Sequence, residues 1–266
     1  MPELEQELQL ARTATGDDLS ALLYHPAPQV LAALLENPAL DETKLCLLLS
    51  RKDLPTEVLE NIGTRKNLLK SYSVKRALLF HPRAPRLACL RLLRDIYLMD
   101  LVQFTLSPAV SVELKLLAEG QIVARLPQLP LGQKIALARR GPTHVAGALV
   151  AEGLANVLPV ALDNPFLTEA QVLKALAREK TSLRVVQAIA SHRKWSQTYN
   201  VRLALVRNPS APLATVLAYL PHLTVSDLRE LAAPGIVPEN LRRYLQAEVQ
   251  RRMRASKALA DKNSKP

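Results

Sequence analysis

The chain has 266 residues, of which 48% are hydrophobic, and carries a formal charge of +11. That apolar share excludes disorder for most of its length, and no apolar run reaches the roughly 18 residues a membrane span needs. The basic balance, with a pI near 9.9, suits nucleic acid, an anionic surface or an acidic protein as partner.

The apolar residues are mostly Leu, Ala and Val, while aromatics make up only 4%. Leu and Ala favour helix, and 19 prolines against 8 glycines point to many short helices opened or stopped by Pro. Cys46 and Cys89 sit in apolar helical contexts and read as small core residues of a reducing compartment. The acidic start Met1-Pro2-Glu3-Leu4-Glu5 has no apolar core of a secretory signal, so a cytoplasmic protein is expected.

Residues 3–13 predict a short acidic amphipathic helix. Asp17 and Asp18 are placed to cap a helix running through Tyr24, and Pro28 to start the next one, to Glu36. Asn37-Pro38 breaks the chain again. Asp41-Glu42 and Pro55-Thr56-Glu57 open two more helices, and Ser71-Tyr72-Ser73 opens another over 73–80. Breaks recur near Pro55, Pro82 and Pro108, then near Ser182, Pro209 and Pro234, a spacing that holds two short antiparallel helices per unit. Pro238-Glu239-Asn240 begins a longer helix through about Arg254, followed by a polar tail. No segment alternates as a strand would.

A larger repeat overlies this one. Residues 37–86 align with 164–213 without a gap, at a constant offset of 127, with 15 identities in 50 positions. The identities include Asn37/Asn164, Pro38/Pro165, Arg51/Arg178, Tyr72/Tyr199, Pro82/Pro209 and Pro85/Pro212. Helical composition alone would align Leu and Ala, but not Asn-Pro, Tyr and Pro-x-x-Pro together. A seam is expected near 120–142, where Gly120, Pro127, Pro130, Gly132 and Gly141-Pro142 cluster.

The stretch Val201-Arg202-Leu203-Ala204-Leu205-Val206-Arg207-Asn208-Pro209-Ser210-Ala211-Pro212-Leu213 resembles bacterial HEAT-like and leucine-rich-repeat-variant α-solenoids, over most of residues 18–250. In those families Val-Arg opens a short second helix and Asn-Pro closes the unit. The resemblance implies an all-α, right-handed α-solenoid of short paired helices, and a partner held along the solenoid surface. It carries over no catalytic residue. Some leucine-rich-repeat-variant proteins have a Cys-rich iron–sulfur segment that this chain lacks, and no cofactor is expected. The expected organisation is an acidic N-terminal cap over 1–17 and a helical-repeat half over 18–125. A second half over 126–254 ends in a capping helix, and a polar basic tail covers 255–266.

The strongest functional candidate is charge. Between Ile62 and Arg94 lie nine basic residues and no acid, and the matching window 189–221 holds Arg193, Lys194, Arg202 and Arg207, again with no acid. Arg65, Lys66, Lys70, Lys75 and Arg76, with Arg193, Lys194, Trp195 and Arg202, form the candidate surface for an anion, nucleic acid or partner. Tyr72, Tyr199 and Trp195 could stack bases there; alternatively Tyr72 and Tyr199 pack between helices while Lys75 and Arg202 bond to an inter-repeat loop. The basic segment 242–266 reads either as a cap with a solvated outer face or as a helix meeting acidic lipid or nucleic acid. No zincin, P-loop, dinucleotide or nucleophile motif is present, and no metal site is built by the five scattered histidines. The expected function is a non-catalytic scaffold for a protein partner, without a small-molecule substrate or membrane. Sequence-nonspecific nucleic-acid binding is the alternative, followed by a HEAT-like DNA glycosylase.

Overall fold

The computed structural model describes residues 2–179 and 181–263, with side chains over 4–179 and 181–256. These residues form eighteen α-helices and four 3-10 turns, with no strand among them, so the protein is all-α. It divides into two units, Met1–Arg125 and Leu126–Pro266.

The first unit holds α1 (Pro2–Thr13), α2 (Gly16–Leu22), α3 (Pro28–Leu34), α4 (Glu42–Ser50), α5 (Thr56–Thr64), α6 (Tyr72–Leu79), α7 (Arg86–Leu92), α8 (Leu98–Leu106) and α9 (Val112–Arg125). The second holds α10 (Leu131–Arg140), α11 (Thr143–Glu152), α12 (Leu158–Leu162), α13 (Glu169–Leu176), α14 (Leu183–Ser191), α15 (Tyr199–Arg207), α16 (Leu213–Tyr219), α17 (Val225–Leu231) and α18 (Glu239–Asn263). From α4 onward each helix of the first unit starts 127 residues before one of the second. Both also share a 3-10 turn, Leu68–Lys70 and Trp195–Gln197, at that offset.

The helices are short because the sequence keeps restarting them. Pro55, Pro85, Pro130, Pro142 and Pro212 each stand in extended conformation just before a helix, where a fixed φ and a missing N–H cost nothing. Asp41 caps α4 by accepting from the Lys44 amide at 2.8 Å, and Thr224 caps α17 by accepting from the Asp227 amide at 3.1 Å. Two boundaries differ from the sequence expectation. α2 begins at Gly16, whose φ of 57° suits glycine, so Asp17 and Asp18 lie within the first turn and face the positive helix end. Gly120 lies inside α9, and the interruption falls after Arg125. At the far end α18 runs on to Asn263, so a helix replaces the expected tail from 255; residues 264–266 lie outside the described residues.

Within the first unit α1 packs on α3, α3 on α5, α5 on α7 and α7 on α9, while α4 packs on α6 and α8 on α9. In the second, α10 packs on α12 and α12 on α14, α11 on α13 and α13 on α15, and α17 on α18. Neighbours in space are thus mostly two helices apart, and the apolar stripes close against each other: Val30, Leu31 and Leu34 in α3, Val58, Leu59 and Ile62 in α5, Val185, Val186 and Ile189 in α14 are all buried. Gly63 lets α5 and α7 approach, since a Cβ there would come within 2.8 Å of the Ala88 Cβ.

The polar contacts recur at the same offset. Asn37 Nδ2 donates to the carbonyls of Ala11 and Ala14, and Asn164 Nδ2 to those of Ala138 and Gly141. The guanidinium of Arg125 donates to the carbonyls of Leu93, Arg94 and Ile96, and that of Arg252 to those of Leu220 and Leu223. The Tyr72 hydroxyl donates to Asp100 and accepts from the Tyr97 amide, as the Tyr199 hydroxyl donates to Asp227 and accepts from the Thr224 amide.

Leu78 and Leu205 occupy matching places in α6 and α15 and are fully buried. Replacing either by Ala should cost about 2–5 kcal/mol in urea denaturation, and a loss below about 0.5 kcal/mol at one of them would break the correspondence of packing.

Candidate functional site

The charged residues singled out by sequence fall into three groups. Arg65, Lys75 and Arg76 are engaged by acids arriving from neighbouring segments. Arg65 Nη1 donates to the Leu35 carbonyl at 3.0 Å and Nη2 lies 3.3 Å from Glu36. Lys75 Nζ is 2.5 Å from Asp95, and Arg76 Nε is 2.9 Å from Asp100 while its guanidinium covers the Phe80 ring. An acid-free window of sequence is therefore not an acid-free surface: Glu36, Asp95 and Asp100 lie outside the window but beside it in space.

Lys66, Lys70, Arg193 and Lys194 form the second group. All four are exposed, and none has an acidic partner among the described residues. Lys66 and Arg193 are 127 apart, each next to the 3-10 turn of its unit. Arg202 stands between the groups, bound to neutral partners: its Nε donates to the Ser196 carbonyl at 2.7 Å and its Nη2 to Gln197 Oε1 at 2.6 Å.

Trp195 differs from the sequence expectation. Its ring is buried, and Nε1 donates to the Leu162 carbonyl at 2.9 Å, so it offers no face for stacking a base; Lys194 Nζ covers the ring at 4.1 Å. The reason is visible 127 residues earlier. There the Leu35 carbonyl is satisfied by Arg65, and Arg65 corresponds to His192. His192 reaches the acid, Asp163, at 3.1 Å, and the indole of Trp195 supplies the donor for the carbonyl. Tyr72 stacks on Tyr97 with ring centroids 4.0 Å apart and shares its hydroxyl as described, so it too packs between segments.

Cys89 is buried, and burial pushes its thiol up to about 11; Cys46 is only partly buried, its thiol raised by burial and then by Glu42. Both are protonated at neutral pH, and no three His, Cys, Asp or Glu side chains among the described residues converge as a metal site. His81 Nδ1 accepts from the Arg83 amide at 3.1 Å, so its proton is on Nε2, which donates to the Arg51 carbonyl at 2.7 Å. In the C-terminal segment Arg251 and Arg252 pair with Glu248, and Arg242 pairs with Glu239. The side chains of Lys257, Lys262 and Lys265 lie outside the described residues.

The feature that sequence reading passed over is a cleft of about 570 Å³ between α5 and α7. Gly63, Ala84 and Ala88 give it a small-residue floor, and Arg83, Arg86 and Arg91 stand around it with Glu60 as its one acid. Arg83 Nη1 donates to the Asp53 carbonyl at 3.1 Å, and Arg86 is held by both oxygens of Glu113. Arg91 has no ion-pair partner among the described residues. The signal was present as a difference between the aligned halves: Arg83, Arg86 and Arg91 face Ser210, Leu213 and Ala218.

No protein-family model matches the chain, and neither curated proteins nor solved structures show a significant match to it. The resemblance to helical-repeat families therefore rests on the residues alone.

Two measurements test these assignments. Trp195 is the only tryptophan, so emission should be blue-shifted and resistant to iodide quenching, and Trp195→Phe should cost about 1–3 kcal/mol by orphaning the Leu162 carbonyl. Burial works to raise the Asp100 carboxyl, but bonds from Tyr72 and Arg76 outweigh it and leave the pKa lowered; Asp227 is lowered by Thr224 and then Tyr199. Folding thus favours both carboxylates, and their contribution is present above the unfolded-chain pKa and lost as pH falls through the folded one. Tyr72→Phe and Tyr199→Phe should move these titrations upward in carboxyl NMR and shift acid unfolding to higher pH.

Proposed function

We propose that the protein is a right-handed solenoid of short paired helices, made of two duplicated halves, that acts without catalysis as a scaffold for a protein partner along its basic face. The duplication is supported by the order of the helices and by the capping bonds repeated at 127 residues. It is supported further by an acid and a nitrogen base in contact at matching places with the residue types exchanged: Glu7 with His25 in the first unit, Lys134 with Glu152 in the second. The same reading puts the protein in the cytoplasm, with its thiols reduced; no described helix is long and apolar enough to cross a membrane.

The observation that carries the functional reading is where the interior polar groups go. Asn37, His81, Thr105, Asn164, Thr181 and Asn208 are buried, and each bonds to backbone carbonyls; buried Lys134 bonds to Glu152. Apart from Lys134, these groups close helix ends, and the reading places function on the outer surface of a chain whose 35 Lys and Arg outnumber its 24 Asp and Glu. One observation favours nucleic acid as the second reading: Lys66, Lys70, Arg193 and Lys194 are exposed without acids against them.

In-cell photo-crosslinking from exposed positions such as Leu47, Leu87 and Leu183 should capture one protein from a contiguous set of sites. A labelled oligonucleotide should bind no better than weakly at low salt in fluorescence anisotropy. Low-micromolar oligonucleotide binding that falls steeply with salt, without a crosslinked protein, would replace the scaffold by the nucleic-acid reading.

A further inference from the structure

We propose that the cleft between α5 and α7 is a docking site for an acidic peptide segment of the partner, one that alternates carboxylates with apolar residues. The inference rests on the scaffold reading and deepens it. Its first support is charge: three arginines surround one cleft of about 570 Å³ with a single acid, Glu60, among the lining residues. Arginine presents a planar fork of donors that matches a carboxylate, and all three side chains are exposed. Arg86 is neutralised only by Glu113, and both groups of that pair are 58% exposed, so an incoming carboxylate can replace Glu113 at little cost. Arg83 is oriented by the Asp53 carbonyl and its charge also reaches the Asp53 carboxylate, which Arg51 holds by both oxygens, while Arg91 has no acid of its own among the described residues.

The second support is apolar. Gly63, Ala84 and Ala88 bring the floor down to backbone level, and Leu87 stands on the rim at 65% exposure. A partner residue with an apolar side chain has a place to bury there, next to the charges that would hold its acidic neighbours.

The third support is internal to the chain. Under the proposed duplication, α14 and α16 are the counterparts of α5 and α7 and lack the site's charges. Ser210, Leu213 and Ala218 replace Arg83, Arg86 and Arg91, and Gln187 replaces Glu60. α14 and α16 still form between the same residue positions, so the fold does not need these four charges.

Glu60 and the small floor favour a peptide over nucleic acid. A continuous run of phosphates would meet Glu60, whereas an alternating peptide can set a neutral residue against it, and phosphates gain nothing from Leu87.

The test uses the purified full chain and three labelled probes: a short alternating Glu/Leu peptide, its Gln/Leu counterpart, and a single-stranded oligonucleotide of the same charge. The Glu/Leu peptide should bind one per chain and more tightly than either control. Arg91→Glu should weaken it by roughly tenfold, because reversal turns attraction into repulsion. Glu113→Gln should strengthen it, since Arg86 is released, an effect no structural role of Glu113 would produce. Both positions lie on exposed surface, and circular dichroism confirms folding of each variant. The assignment is overturned if the Glu/Leu peptide does not bind, if Arg91→Glu and Glu113→Gln leave binding unchanged, or if the oligonucleotide binds more tightly. A protein crosslinked elsewhere on the chain, with no peptide binding here, would remove the cleft and keep the scaffold; no crosslinked protein at any position would remove the scaffold itself.

Discussion

A chain built of helices this short has a carbonyl problem. Each helix end leaves up to four backbone acceptors without an intrahelical partner, and most helices here run for only seven to ten residues. A large fraction of the backbone therefore needs acceptor satisfaction from elsewhere. The downstream chain supplies it, at a separation of about one helix pair. Asn37 reaches back to Ala11 and Ala14, Arg51 to Leu23 and His25, Arg65 to Leu35, His81 to Arg51, and Arg125 to Leu93, Arg94 and Ile96. Each bond closes one helix end and fixes the place of the following pair in a single contact. Losing one leaves a carbonyl without its partner, at a cost of about 1–3 kcal/mol where it is buried, large against the whole stability of a domain.

That constraint accounts for several of the matches and differences between the aligned halves. What must persist is a donor at the right place, not a particular side chain. Asn serves at both 37 and 164, and Arg at both 125 and 252. At 81 and 208 the donors are His and Asn, two side chains that can each give one bond backward and accept one from an amide two residues on. Where Arg65 does two tasks, His192 and Trp195 divide them. The single tryptophan of the chain is thus explained by a backbone carbonyl.

Much of the architecture was legible in the sequence because helix stops are local. Pro, Asn-Pro and the Ser or Asp caps act within a few residues, and α4 and α5 begin where those signals stand. The longer α9 escaped, since Gly120 on an exposed helix face costs only about 1 kcal/mol and need not interrupt it. The extent of α18 escaped as well, because a polar, charged run reads alike whether coiled or helical. The basic ridge was legible as composition and illegible as a surface. Lys75 and Arg76 meet acids 20 and 24 residues away, in the turn after α7 and in α8, outside the window that ends at Arg94. Trp195 was misread for the same reason: the carbonyl it serves lies 33 residues back.

The two halves also separate what the fold demands from what it merely permits. Several capping residues are matched across the offset, as at 37/164, 72/199 and 125/252, and Glu7–His25 and Lys134–Glu152 bring an acid and a nitrogen base together at matching places with the residue types exchanged. Arg83, Arg86 and Arg91 behave differently. Their counterparts Ser210, Leu213 and Ala218 preserve neither charge nor size, although the flanking Pro82, Ala84 and Pro85 recur as Pro209, Ala211 and Pro212. The turn itself is kept, with Ala84 N–H and Ala211 N–H each donating to the carbonyl three residues back, so its backbone course does not depend on the charges at 83, 86 and 91.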